Sequence, residues 1–344
     1  FDLFEQYGTD AVRFGVMLMA PQGLDVLFTN SRLEVGRNFM NKLWNASRFV
    51  LMNLPEGLPS DSELTADSLD LPERWILSRL QQAIGKLNRQ LDRFYFNEAA
   101  KVIYEFTWND FCDWYVEIAK TRFRSNDGNS ARAARAVAVH VLRRILAMLH
   151  PYAPFITEEL WSFVRPENAR DIIVSPWPVT EAEWIDAQAE EEMSLVRDVI
   201  TAVRTIRGQM NVPPTRKADL VVRADERSAA ILHRQEAVIQ SLGSLATVTL
   251  DAEAHRPPQS ASAVVQGLEL FLPLEGLIDI ELERERILKR QRELNGHLSG
   301  LHKKLENQKF LERAPREVVI KEQQKLADMT EEMNKLTANL ELLE

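Results

Sequence analysis

Few side chains in this sequence are spaced for chemistry. The six histidines, at 140, 150, 233, 255, 297 and 302, are scattered, and no His/Cys cluster has the spacing of a metal site. Asp110, Asp113 and Glu117 are acids at helical spacing, as an acid/base pair or a cation cradle would need. No histidine or glycine-rich loop accompanies them, and they read as surface. There is no phosphate-cradling Walker loop, no His-Glu-x-x-His and no nucleophile elbow. The single cysteine, Cys112, excludes a disulfide framework and a cysteine-built zinc site. What remains is chemistry of recognition. In residues 31–54 one helical face carries Arg37, Asn38, Asn41, Lys42, Asn45 and Arg48 with a single acid, Glu34. Amides and cations together suit phosphates and base edges, although a solvated face over a core has the same pattern. Three asparagines inside a helix cost propensity, which favours a use for them.

The element that presents this face is an amphipathic helix whose other side holds Leu33, Gly36, Met40, Leu43, Trp44, Ser47, Val50 and Leu51, all expected in the core. Upstream, residues 1–20 read as one helix, broken by Pro21 and Gly23. Downstream, 55–73 is an acidic connector without a cation. Pro72 then opens a helix carrying Ile76, Leu80, Ala83, Ile84, Leu87 and Leu91. Asn97 is placed to cap the next helix, which reaches about Phe123. Its aromatic stripe, Tyr104, Trp108, Phe111 and Tyr115, reads as core rather than as a base-stacking platform. After the loop SNDGNS, a helix over 130–149 carries Arg132, Arg135, Arg143 and Arg144, either solvated or facing RNA. Pro151 ends it and Pro154 opens another, with His150 as a helix-end structural residue.

Past a short extended crossing, IIVSPWP, the pattern changes to alternation. A helix over 187–208 precedes strand-like runs at 218–224, 245–250 and 263–274, the last folded about Gly267, with a helix at 226–241. The final segment repeats by sevens: Ile280, Ile287, Leu294 and Leu301, then Val319, Leu326, Met333 and Leu340. Two heptad helices with a Pro-containing link make an antiparallel coiled-coil hairpin. From Arg286 to Lys325 it holds eleven Lys/Arg against five Glu, a local excess of +6 in a chain of −9. A nucleic-acid partner must therefore be met by local patches, since the global field opposes it. With 344 residues, 45% hydrophobic, the chain is long enough for two or three domains. No apolar run approaches the ~20 residues of a bilayer span, so no membrane partner is expected.

Several phrases resemble one family. RNFMNKLWNASRF (37–49), DFCDWYVEIAKTR (110–122) and HPYAPFITEELW (150–161) are similar to the anticodon-binding region of class I aminoacyl-tRNA synthetases for valine, isoleucine and leucine. YGTDAVRFGVML (7–18) resembles the segment that follows their KMSKS loop. KMSKS and HIGH motifs themselves are absent, so the chain is expected to be a fragment that starts just after the nucleotide-binding fold. Isoleucine enzymes commonly end in a cysteine-ligated zinc module, which one cysteine cannot build, and leucine enzymes lack a long terminal hairpin. VRTIRGQMNVPPTRK (203–217) and the turn KLENQKFLERAPREVV (304–319) resemble the bacterial-type valyl branch.

The resemblance implies a mainly α architecture: a connecting segment (1–30), a helical-bundle anticodon-binding domain (31–180), a small α/β domain (187–275) and a coiled-coil tRNA-binding arm (277–344). It implies a tRNA(Val) partner, with the anticodon read by Arg37, Asn38, Lys42, Asn45 and Arg48. The arm would brace the outer corner of the tRNA through Arg292, Lys303, Lys304, Lys309, Phe310 and Arg313. Arg204, Arg207 and Lys217 make the 203–217 segment basic, as either an RNA contact or a surface loop. The parent enzyme would use ATP with Mg to attach valine, while no catalytic residue, cofactor or metal is expected in this part. A cytoplasmic monomer is expected. The competing reading is a helical scaffold whose coiled coil grips a protein partner.

Overall fold

The structure, a computed structural model, describes residues 2–20, 29–55, 57–59, 64–65, 68–124, 128–307 and 315–342. It divides into two compact units, Phe1–Ser194 and Leu195–Glu344.

The first unit is a helical bundle. The helix expected over residues 1–20 is two, α1 (Asp2–Tyr7) and α2 (Thr9–Met19), because Gly8 between them sits at φ +89°, where a continuous helix cannot pass. α3 (Asn30–Met52) packs against α2 through Gly36: a Cβ there would stand 2.2 Å from the Ala11 carbonyl oxygen. The buried side of α3 is Leu33, Gly36, Phe39, Met40, Leu43, Ala46, Ser47 and Val50. This corrects one expectation: Trp44 is 40% exposed, and Phe39 takes the core place that its ring was given. On a helix these positions lie 140° apart, and the site of the neighbouring helices decides which one is covered.

α4 (Leu71–Asp92) has Pro72 in its first turn and buries Trp75, Ile76, Leu80, Ile84 and Leu87. A continuous helical rod follows: α5 (Phe96–Glu105), a ten-residue π-helical segment (Phe106–Tyr115) and α6 (Val116–Phe123). Asn97 lies inside α5, buried and donating to Glu98, and does not cap it. α7 (Gly128–Leu149) is alanine-rich and buried on nearly every side, which makes it the centre of the bundle. α8 (Pro154–Val164) starts on a carboxylate from elsewhere: Asp10 of α2 accepts from the Ile156 and Phe155 amides at 2.7 and 3.4 Å.

α9 (Ala187–Gln209) ends in the second unit, whose sheet has the order β2-β1-β4-β3. β1 (Ala218–Arg223) and β2 (Leu245–Asp251) are parallel, as their crossover through α10 (Glu226–Arg234) and α11 (Glu236–Gly243) requires. The single helix expected at 226–241 is thus broken at Gln235. β3 (Ser260–Val265) and β4 (Leu268–Pro273) form a hairpin whose two turn residues, Gln266 and Gly267, both have positive φ. α12 (Ile280–Glu306), capped by Asp279 on the Leu282 amide, and α13 (Arg316–Leu342) pack side by side. Ile287, Leu294, Leu301 and Leu336 are their buried heptad positions. No helix among the described residues is long and apolar enough to cross a membrane.

Candidate nucleic-acid interface

The polar side of α3 separates into two strips. Arg37, Asn41, Asn45 and Arg48 follow one another at i, i+4, i+8 and i+11, and all four are exposed. They form a line of cation, amide, amide, cation about 16 Å long at 1.5 Å per residue. Arg37 also lies over the Tyr7 ring, 5.6 Å from its centre, which fixes one end of the strip against α1. Asn38 is exposed beside this line, whereas Lys42 is half-buried and turned toward the π-helical segment. There it pairs with Asp113 and sits over the Trp108 ring, 4.8 Å from its centre. Of the five residues expected to read the anticodon, four stay open on α3 and Lys42 is already engaged.

The π-helical segment explains that engagement. Its hydrogen bonds span five residues rather than four, and the wider turn brings Asp113 round toward the side of Trp108, where both meet Lys42. Behind Trp108 runs a file of rings into the core: Tyr104 stacks on it at 5.5 Å, Phe39 meets Tyr104 at 5.1 Å, and Phe14 stacks on Phe39 at 4.7 Å. The aromatic stripe is therefore divided. Phe111 and Tyr115 are fully buried, while Tyr104 and Trp108 are half-exposed at the seam between α3 and the rod. Burial raises the Tyr104 phenol, with Asp113 adding to the effect, and pushes the Cys112 thiol up to about 12. Such a thiol stays protonated and inert. Asp110 corrects another expectation: it is buried at 6% exposure and bonded to Arg79 at 3.0 Å, because the π turn directs it inward.

Other cations are occupied with the fold. Arg143 is buried and donates to the Val164 carbonyl, Arg135 donates to the carbonyls of Asn53 and Phe123, and Arg144 pairs with Glu181. Of the four α7 arginines, Arg132 is exposed. In the second unit Arg207 is buried and holds three carbonyls, Ser244, Pro213 and Arg216, at 2.8 to 3.2 Å. It staples the 203–217 segment rather than facing outward. Arg204 bonds the Leu242 carbonyl, and Lys217 is exposed. His150 is the expected helix-end group, bonded to Thr157 at 2.8 Å, with its pKa lowered by burial.

On the arm, Arg292 and Lys303 are exposed, and Lys304 crosses to Glu322 at 2.8 Å. Lys309, Phe310 and Arg313 lie outside the described residues. No group of three or more His, Cys, Asp or Glu among the described residues could hold a metal ion.

Two family models match the chain. The anticodon-binding domain of tRNA ligase covers residues 73–222, and the valyl tRNA synthetase tRNA binding arm covers 279–344. The seam residues Tyr104, Trp108 and Asp113 lie inside the first match, and α3 precedes it. Curated valine--tRNA ligases of Geobacter sulfurreducens and Syntrophotalea carbinolica are 42% and 40% identical over 98% and 99% of the chain. That of Bacillus cereus (strain ATCC 14579) is 35% identical over 100% of it. The chain spans 38 to 39% of the length of these relatives. Among solved structures, the ternary complex of Agrobacterium radiobacter K84 agnB2 LeuRS, tRNA and LeuAMS aligns with 54% of this chain and 21% of that one, at 22% identity and a TM-score of 0.42.

Proposed function

The chain belongs to the valine--tRNA ligase family, of which it carries the anticodon-binding domain and the tRNA-binding arm, and from that premise we propose that it is the tRNA-holding part of an enzyme that attaches valine to tRNA(Val). ATP, with Mg, would serve the part of the enzyme that these residues do not include. The bundle takes the anticodon through the open side of α3, with Arg37, Asn38, Asn45 and Arg48, where amides meet base edges and guanidinium groups meet phosphates. Lys42 joins them once released from Asp113. The arm braces the tRNA through Arg292, Lys303, Lys304, Lys309, Phe310 and Arg313. We place the protein in the cytoplasm, as a monomer.

The observation that carries this reading is the arm. Its +6 stretch in a −9 chain belongs to a segment whose two helices pack on each other through Ile287, Leu294, Leu301 and Leu336. Arg292 and Lys303 stay open on this arm, and an excess of cations suits a polyanion better than a second copy of the same rod. The test is tRNA binding at several salt concentrations, by the full chain and by a chain lacking residues 277–344. Each neutralised phosphate contributes roughly 0.7–0.9 to the slope of log K against log salt. Truncation should weaken binding and flatten that slope, and reversing Lys303, Lys304, Lys309 and Arg313 to Glu should reproduce much of the loss. An unchanged slope, or a change of oligomeric state in its place, would overturn the assignment in favour of a protein-docking rod.

A further inference from the structure

We propose that Trp108 is the stacking platform for one unstacked base of the bound RNA, and that Lys42 is a displaceable cap over it. This rests on the reading that the bundle binds tRNA, and it adds a residue and a motion which the open strip of α3 does not supply.

Three features converge on Trp108. First, it ends a file of rings, Phe14, Phe39, Tyr104 and Trp108, whose inner two members are fully buried. An indole backed in this way holds its plane before any ligand arrives, so little ordering is lost when a base stacks on it. Second, the group over the indole is a charge. The Lys42 ammonium is held there by Asp113, and both side chains remain open to water, at 32% and 42% exposure. A solvent-exposed ion pair is weak and readily exchanged, and an RNA phosphate offers the ammonium a stronger partner than one carboxylate does. Third, the π-helical segment sets the arrangement. Its wider turn brings Asp113 round to the ammonium that lies over Trp108, and such segments occur frequently where function requires them. Asn38 and Asn45 stand on α3 four residues before and three after Lys42, so amide groups border the place where a stacked base would present its edge. When RNA enters, the base replaces the ammonium over the indole and Lys42 moves to a backbone phosphate.

The experiment crosses protein variants with RNA variants. Binding of a tRNA(Val) transcript, and of transcripts carrying one abasic nucleotide at each anticodon-loop position in turn, is measured for the wild-type chain and for Trp108→Leu. Loss of one stacked base should lower affinity about 5- to 100-fold for the intact transcript. At one loop position the abasic transcript should lose as much with wild type and nothing further with Trp108→Leu. Trp108→Phe, which keeps an aromatic face, should bind within a few-fold of wild type and controls for damage to the fold. Asp113→Asn should raise affinity, because it frees Lys42 and removes a negative charge from the RNA's path. Penalties that add in full at every loop position, or an Asp113→Asn variant that binds more weakly, would overturn the proposal while leaving the tRNA reading intact. Absence of salt-sensitive tRNA binding by the wild-type chain would remove both.

Discussion

Glu73 is fully buried beside Arg122, which meets it at 2.9 Å as a charge without an aligned hydrogen bond. Burial pushes its carboxyl up to about 7, against the opposing pull of Arg122 and with help from Asp70. That value lies above the 4.5 of an unperturbed Glu, so the native state holds the proton more tightly than the unfolded chain. The resulting stabilisation is complete below about pH 4.5 and is lost as pH rises through about 7. Glu73→Gln keeps the shape without the titration. Compared with wild type it should lack a fall in stability on the order of 3 kcal/mol across this window. Coincident pH–melting profiles for the two proteins would exclude the effect. A second comparison concerns the faces of α3. Phe39→Ala should cost ~3–5 kcal/mol as a buried aromatic truncation, whereas Trp44→Ala, at a position 40% exposed, should cost ~1 kcal/mol or less. Denaturant melts that rank them the other way would reverse the face assignment.

At the scale of elements, glycine has opposite meanings in two helices. In α3 the missing Cβ of Gly36 lets α2 cross with backbone nearly touching backbone. Gly36→Ala should therefore cost ~1–3 kcal/mol or more, since no flexible side chain can yield. In α12, Gly296 and Gly300 have nothing within 4 Å of an added Cβ. There the substitution to Ala should stabilise the arm, by up to ~1 kcal/mol at each position, through helix propensity alone. Thermal melts of the chain with each change give the two signs directly. Among the described residues no contact explains Gly296 or Gly300.

Across the whole molecule, the two compact units and the self-packed hairpin make the parts separable. Two polar ties of the arm's root, Asn211 to Glu283 and Arg216 to the Gly276 carbonyl, lie within the second unit. Removing residues 277–344 should accordingly leave the near-ultraviolet dichroism of the bundle and the pH response of Glu73 unchanged. Loss of either would mean that the arm supports the bundle. Under the proposed function, binding by this chain should be more salt-sensitive than its net charge of −9 implies, because cations concentrated on the arm would act within a Debye length of the RNA.

Local periodicity by itself determined much of this protein. The heptads of α12 and α13, the strands about Gly267, Pro72 and Pro154 in first helical turns, and His150 at a helix end were all legible, because each depends on residues a few positions apart. The polar character of α3 was legible for the same reason. Its exact boundary was not: whether Phe39 or Trp44 is covered depends on where neighbouring helices lie. A 3.6-residue period also could not anticipate the π-helical segment, in which Asp110 turns inward and Asp113 joins Trp108. Nor could spacing distinguish the arginines that bind carbonyls, Arg135, Arg143 and Arg207, from those left in solvent, since their partners are set by tertiary proximity. Lys42 shows the difference most plainly. On its helix it is one more cation of the polar side, and only the packing of α3 against a segment 71 residues away places it over an indole and gives it to a carboxylate.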